Sequence, residues 1–198
     1  MSLNVIYGTD SNALNMRCKE IISHCADKNV FLIVPEQFSL SAEKYFSDVT
    51  KIGFEVISFK RLAGRIFEEA GKITGSYLSS SSKVMLMQSV LDTEKLGIYK
   101  TCAEKYGFAS TLAKTVSEFK HAAIDPDFVR SKIETSSGML KEKLTDFAVI
   151  FDSYNQKTAR FGNDSDDDLT FTYKLLLENP NLYSVAGSVV IISKFSGF

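Results

Sequence analysis

The residues that could carry out chemistry begin near the N-terminus, in the segment VIYGTDSNALN (residues 5–15). The P-loop pattern of phosphate-binding proteins, G-x-x-x-x-G-K-[ST], can be placed on this segment from Gly8. Its second glycine then falls on Ala13, its lysine on Leu14 and its hydroxyl residue on Asn15. In a working P-loop the lysine contacts the β and γ phosphate oxygens and the hydroxyl binds Mg²⁺. Because Leu14 has no charge and Asn15 is a poor replacement, the spacing indicates a degenerate nucleotide site.

A simple turn also explains this segment. Residues 8–12 suit the connection between a strand and a helix, with Asp10, Ser11 or Asn12 as the N-cap. Weak anion binding at the start of that helix is the alternative. Ala13 adds a methyl group where a backbone must approach phosphate closely. We therefore expect no useful affinity for ATP.

A second group of polar residues lies in SFKRLAGRIF (residues 58–67). Lys60, Arg61 and Arg65 surround a helix whose other face is apolar, and cations on such a helix can contact nucleic-acid phosphates. Three charges give only a modest, salt-dependent affinity. The alternative is a solvated amphipathic helix without a ligand.

Metal and nucleophile patterns are weak. The neighbours His24 and Cys25 do not belong to a set of four ligands at a recognised spacing. NDSDDD (residues 163–168) resembles the start of a calcium loop, but Leu169 and Leu175 stand where that loop needs Gly and Glu. Acidic residues at a helix N-terminus explain the segment better. The sequence therefore predicts no metal site and no catalytic residue.

Composition limits the function classes further. The chain has 198 residues, 44% hydrophobic and 24% charged, which is typical of a globular protein. Its 23 basic and 24 acidic residues leave a net charge of −1, so any nucleic-acid contact must come from a local patch. Three cysteines without metal spacing suit a reducing cytoplasm. Neither a signal peptide nor a membrane span is recognisable, so we expect a cytoplasmic protein without a membrane partner.

Four short apolar runs predict the strands that must position these residues. They are NVIY (4–7), VFLIV (30–34), FEVIS (54–58) and SVVIIS (188–193). Runs that are apolar on both faces are typical of a parallel sheet covered by helices. Apolar residues at helical spacing over 14–25, 42–49 and 59–70 predict those helices.

The pattern changes near residue 76. Helices are predicted over 82–93, 109–123, 126–135, 139–161 and 167–178, before the last strand. The predicted fold class is therefore α/β: a parallel sheet flanked by helices, with a large all-helical insertion. Residues 1–75 and 180–198 form the α/β lobe, and residues 76–179 form the insertion. Because the sequence stops just after a buried strand, we expect it to be a fragment of a longer protein.

With these residues in this order, the sequence resembles the N-terminal region of AddB/RexB-type subunits of bacterial ATP-dependent helicase–nucleases. FLIVPEQFSLSAEKYF (31–46) resembles the VPEQ segment of the family. VISFKRLAGRIFEEAG (56–71) resembles the segment that superfamily 1 helicases write as TFHxLAxRIL. LKEKLTDFAVIFDSYNQ (140–156), DDDLTFTYKLL (166–176) and VVIISKFSGF (189–198) resemble the run up to a Walker B-like DGFxxF. The resemblance covers essentially the whole chain, and it implies that the α/β lobe is a helicase-like lobe with a P-loop-NTPase-like sheet.

The resemblance also implies roles for individual residues. Family members often have an intact P-loop at residues 8–15, and they have Asp-Gly where this chain has Ser193 and Lys194. The carboxylate that would hold Mg²⁺ through water is therefore missing, which implies a degenerate Walker B segment as well. The segments after the second and third predicted strands line the path of single-stranded DNA in the helicase fold. The positions carried over to that path are Gln37, Ser39, Ser58, Lys60 and Arg61.

The resemblance also implies what partners the intact family member would have. It would have a C-terminal nuclease that holds an iron–sulfur cluster and Mg²⁺, and it would pair with an AddA/RexA-type helicase–nuclease A subunit. Together they would process double-strand DNA breaks for recombinational repair, acting on single- and double-stranded DNA at the ends. Within these 198 residues the resemblance implies no cofactor and no catalysis, only scaffolding of the partner and guidance of DNA.

Two other function classes remain open. The first is an active nucleotide-binding enzyme with a P-loop-like fold, which the missing lysine and carboxylate count against. The second is a stand-alone interaction module, which the buried terminal strand counts against.

Overall fold

The computed structural model of the protein describes residues 3–25, 27–72, 75–181, 183 and 185–195. The chain divides into two compact units. One consists of Met1–Lys72 and Lys174–Phe198, and the other of Ile73–Tyr173.

The first unit contains a three-stranded parallel sheet. Its strands are β1 (Val30–Ile33), β2 (Phe54–Ile57) and β3 (Val189–Ile192), in the order β2-β1-β3. Val30 lies opposite Phe54 on one side and Val189 on the other. The three predicted strands over 30–34, 54–58 and 188–193 are confirmed, as is their parallel direction.

The strand predicted over residues 4–7 is wrong. These residues form no strand, and the side chains of Val5 and Tyr7 are 76% and 92% exposed. A β-rich composition forms a strand only where a neighbouring strand pairs with its backbone and side chains pack against its faces. The described residues supply neither for this segment, so its apolar sequence alone misled the prediction.

Helices cover both faces of the sheet in the first unit. They are α1 (Ser11–His24), α2 (Ser39–Tyr45) and α3 (Phe59–Glu69), with a short 3-10 turn at Glu36–Phe38 before α2. Because side chains alternate along a strand, the two faces build separate cores. One core joins the sheet to α1 and α2 through Ile22, Val30, Leu32, Val34, Ala42, Phe46 and Val56. The other joins it to α3 through Phe31, Ile33, Ile57, Leu62, Ala63, Ile66 and Phe67, with Leu175 and Tyr183.

The second unit is helical. Its helices are α4 (Ser80–Thr93), α5 (Lys100–Ala103), α6 (Phe108–His121), α7 (Pro126–Ile133) and α8 (Gly138–Phe161). Helix α9 (Asp168–Glu178) begins in this unit and ends in the first. The five helices predicted from residue 82 onward are confirmed to within a few residues at each end, whereas the single turn of α5 was not predicted. The core contains Met87, Val90, Leu112, Val116, Val129, Phe147, Ile150, Phe151 and Tyr154.

The observed class is therefore α/β, with one parallel sheet and a mostly helical remainder. Within the described part of the chain, no helix has both the length and the apolar character to cross a membrane.

Candidate functional site

The candidate site is the carboxyl edge of the sheet, where β1, β2 and β3 end together. Parallel strands place the residues that follow them at one edge, which is where α/β sheets bind ligands. Val34 donates its N–H to the carbonyl of Ile57, and Ser193 donates to that of Ile33, both within 3.1 Å. The edge therefore joins the segments that follow all three strands.

The turn before α1 is built as an ordinary helix start. Asp10 is the N-cap, and its carboxylate accepts a 2.8 Å hydrogen bond from the backbone N–H of Asn12. The φ of Gly8 lies outside the left-handed region, and a Cβ placed on it would lie 3.6 Å from Cδ2 of Leu14, an ordinary contact. This turn therefore does not need the conformational freedom that glycine gives a P-loop.

A lysine just after β3 contacts the start of α1. Lys194 has φ 67°, in the left-handed region. Its ammonium donates a 2.6 Å hydrogen bond to Oγ of Ser11, the first residue of α1. The ammonium of Lys194 therefore places a positive charge beside the N-terminus of α1.

A cavity of about 180 Å³ lies beside this contact. Three of the predicted nucleotide-site residues line it together, namely Asn15, Ser193 and Lys194. The rest of its wall comes from β1 and α2: Leu32, Val34, Phe38, Ser41, Ala42, Tyr45 and Phe46. Gly8, Ala13 and Leu14 do not line it, so the structure brings together only part of the predicted set.

Cys18 on α1 is a half-buried thiol that is influenced by the charge of Lys194. Burial raises the pKa of this thiol, and the charge of Lys194 lowers it by a smaller amount. Its net pKa is therefore above its ordinary value, and the group stays protonated at neutral pH. A protonated thiol is neither a nucleophile nor a metal ligand.

The predicted DNA-contact residues follow β1 and β2 at the same edge. Ser58 is the N-cap of α3: its Oγ accepts from the N–H of Arg61 and donates to Oε2 of Glu36, both at 3.3 Å. Because Ser58 is buried and both bonds are internal, it positions α3. Ser39 is the first residue of α2, and its buried Oγ finds no hydrogen-bond partner in the part of the chain that is described.

Three of the five predicted DNA-contact residues are open to solvent, namely Gln37, Lys60 and Arg61. Arg61 lies 3.8 Å from the carboxylate of Glu43, measured from Nη1 to Oε1. The edge therefore presents two cations and one amide at the start of α3 and just before α2, an arrangement that can contact a phosphate backbone.

The sequences of known proteins identify the family. The profile of the family described as ADDB, N-terminal, matches residues 8–198. The chain belongs to this family. A protein of Clostridium botulinum (strain Langeland), named as the B subunit of an ATP-dependent helicase/deoxyribonuclease, is 35% identical over 210 residues, which is all of this chain and 18% of that protein. Proteins of the same name are 37% identical in Clostridium acetobutylicum and 35% in Acetivibrio thermocellus, with the same coverage.

This AddB-family chain thus spans less than a fifth of the length of these curated relatives, since it covers 18% of each. The family assignment confirms the resemblance drawn from VPEQ and SFKRLAGRIF.

Acidic residues that contact α3 and its N-cap are what the sequence alone did not reveal in this AddB-family chain. Glu36, Glu43 and Glu55 contact Ser58, Arg61 and Arg65 respectively. Glu36 is part of the VPEQ motif, so its position after a strand was a usable signal. No spacing pattern connects the other two acids to their arginines, because each pair joins different elements.

The calcium-like segment of the second unit binds ammonium groups. Asp164 is 2% exposed, and its carboxylate accepts a 2.8 Å hydrogen bond from the buried Lys120 and a salt bridge from Lys83. Burial raises the pKa of Asp164, but the bonds from both lysines outweigh it and hold the pKa below its ordinary value. Among the residues described, no group of three or more His, Cys, Asp or Glu side chains could hold a metal ion.

Proposed function

We propose that this chain is the N-terminal, helicase-like lobe of a B subunit of a bacterial helicase–nuclease, with a P-loop-NTPase-like sheet that no longer hydrolyses ATP. The observation that carries this proposal is the contact between Lys194 and Ser11 at the carboxyl edge of the sheet. Ser193 stands where the carboxylate for Mg²⁺ would be, and the next residue, Lys194, adds a cation beside it. The names of the relatives support the assignment to such a subunit.

The loss of nucleotide chemistry follows from the same residues. Leu14 offers no charge to phosphate, and Ser193 offers none to Mg²⁺. Each missing charge-assisted hydrogen bond removes about 1.5–3 kcal/mol of binding free energy. The retained role is mechanical: this lobe guides a DNA strand and scaffolds the partner subunit.

The strand-guiding surface consists of Gln37, Lys60 and Arg61. All three residues are exposed, and Lys60 and Arg61 lie in the first turn of α3, where backbone N–H groups add partial positive charge. Ser58 and Ser39 act on this surface through the starts of α3 and α2. The two positive charges of Lys60 and Arg61 support only weak binding, because affinity grows with the number of phosphates neutralised.

The remaining parts of the proposed machine lie outside these residues. The nuclease, with its iron–sulfur cluster and Mg²⁺, would belong to the rest of the longer protein. The cysteines Cys18, Cys25 and Cys102 are free, and the described residues do not form a set of ligands that fits such a cluster. The intact subunit would act on DNA ends together with an AddA/RexA-type partner.

Fluorescence anisotropy with a labelled oligo-dT strand tests the strand-guiding surface. The parent chain should bind with a dissociation constant no tighter than about 1 μM near physiological salt. Lys60→Ala with Arg61→Ala should weaken binding and flatten the salt slope by roughly one unit per lost phosphate contact. Lys28→Ala with Lys72→Ala removes the same charge from exposed positions before β1 and after α3. An equal effect of both pairs would show that net charge, and not this surface, binds the strand.

Calorimetric titration with Mg-ATP tests the loss of nucleotide binding. No saturable heat should appear up to the millimolar range, and no phosphate should be released. A micromolar dissociation constant would contradict the proposal and favour the alternative of an active nucleotide-binding enzyme.

A further inference from the structure

The basic side chains of α3 are paired with carboxylates of neighbouring elements. Arg61 faces Glu43 on α2, and Arg65 faces Glu55 on β2. We infer that Glu43 competes with DNA phosphate for Arg61, so that the strand-guiding surface restrains its own affinity. This inference rests on the proposed function, because it concerns the regulation of the same surface.

The ion pair between Arg61 and Glu43 has a geometry that lets another anion replace Glu43. The two charged groups are 3.8 Å apart, too far for a hydrogen bond, and their side chains are 52% and 49% exposed. The N–H of Arg61 is fixed by Ser58, so the backbone stays in place while the guanidinium rotates. Because exposed ion pairs are weak, a phosphate can replace Glu43 without disturbing α3.

Arg65 provides the contrast on the same helix. It donates a 2.7 Å hydrogen bond to Oε1 of Glu55, and its guanidinium lies over the ring of Phe31, with Cζ 5.6 Å from the ring centroid. Both charged side chains are only one-third exposed. A short hydrogen bond and stacking on an aromatic ring hold this arginine in place. Arg65 is therefore structural, and Arg61 is the exchangeable cation.

The local charge balance agrees with competition. Lys60 and Arg61 bring two positive charges to the surface, and Glu36 and Glu43 bring two negative charges within contact of Ser58 and Arg61. Phosphate entering here meets no net attraction beyond that of the helix N-terminus. Neutralising Glu43 leaves one uncompensated positive charge and frees Arg61 for a phosphate oxygen.

Glu43→Gln tests the inference by anisotropy with an oligo-dT strand of about 20 nucleotides at about 50 mM salt. We expect the dissociation constant to fall about two- to five-fold, which is the range that corresponds to the free energy of an exposed ion pair. Glu20→Gln is the matched control, because Glu20 is an exposed partner of Arg17 on α1. It changes the net charge equally and should leave binding near that of the parent.

The double variant Glu43→Gln with Arg61→Ala separates the possible outcomes. The gain from Glu43→Gln should disappear in this background. Equal binding by the Glu43→Gln and Glu20→Gln chains would overturn the inference, as would a gain that persists without Arg61. The proposed function fails if the chain with Lys60→Ala and Arg61→Ala binds as the parent does, or if no chain binds at this salt. The inference then fails as well, because it rests on that function. Thermal unfolding of each variant confirms that the chain is folded.

Discussion

The ammonium of Lys194 donates a 2.6 Å hydrogen bond to the hydroxyl of Ser11, although 183 positions of sequence separate the two residues. The contact ties the end of β3 to the first residue of α1. Under the proposed function, phosphate and Mg²⁺ would lie between these two places in an intact nucleotide site, and here a direct contact between side chains joins them instead.

Two substitutions of Lys194 should separate its side-chain contact from its backbone conformation. Lys194→Ala and Lys194→Gly both remove the hydrogen bond to Ser11. Because φ is 67° at this position, glycine should be about 1 kcal/mol more stable than alanine. Urea denaturation of the two variants measures the difference. Equal stability would mean that the left-handed conformation relaxes once the lysine is removed.

Rebuilding the loop should restore binding without restoring hydrolysis. Ala13→Gly, Leu14→Lys and Asn15→Ser together recreate the P-loop pattern, so calorimetry should detect Mg-ATP binding that the parent lacks. Hydrolysis also requires Mg²⁺ to be held from β3 and a water to be positioned, whereas Ser193 is uncharged and Lys194 is a cation. A phosphate-release assay should therefore remain at background.

Leu14→Met in place of Leu14→Lys gives the control for the rebuilt loop, since it keeps the other two changes without the charge. It should not bind Mg-ATP. Steady-state hydrolysis by the lysine version would mean that Ser193 has been wrongly matched to the missing carboxylate.

Two paired isoleucines should differ sharply in their contribution to stability. Ile33 and Ile192 lie opposite each other in the sheet, but Ile33 is 1% exposed and Ile192 is 51% exposed. Ile33→Ala removes buried methyl groups and should cost about 2–5 kcal/mol of unfolding free energy. Ile192→Ala should cost under about 1 kcal/mol. Urea titration of both variants measures this, and comparable losses would show that Ile192 is covered in solution.

Low pH should lower the stability of the second unit, because Asp164 becomes protonated. Its pKa is lowered from 3.8 in the folded chain, so its contribution to stability is complete above the unfolded value and is lost as the pH falls through the folded value. Asp164→Asn should cost on the order of 3 kcal/mol at neutral pH and flatten the stability curve below about pH 4. Thermal melts from pH 7 to pH 3 measure both effects.

Asp127→Asn serves as the control for the acid experiment, because the Asp127 carboxylate is well exposed. Its loss should change stability by less than about 1 kcal/mol and leave the acid slope in place. An acid slope that survives in Asp164→Asn would assign the titration to other carboxylates.

The sequence alone predicted the helices and most of the sheet, because their residues determine the elements locally. The apolar stripe from Phe59 to Phe67 predicted α3, and Asp125 before Pro126 correctly marked the start of α7, where its carboxylate caps the N–H of Phe128. Three strands followed from short apolar runs, although alternate residues of β3 are exposed and not buried as its apolar run predicted. The same reasoning failed at residues 4–7, since a strand also needs a neighbour, which composition does not reveal.

Motifs likewise indicated the candidate site, because VPEQ and SFKRLAGRIF each follow a strand of one parallel sheet. The sequence also showed that Leu14 and Ser193 lack the charges of a nucleotide site. Only the tertiary structure decided which polar and charged side chains come into contact. Glu43 reaches Arg61 from another helix, and Lys194 reaches Ser11 from the far end of the chain. Electrostatic interactions depend on distances in space, and the packing of the sheet and its helices brings these groups together.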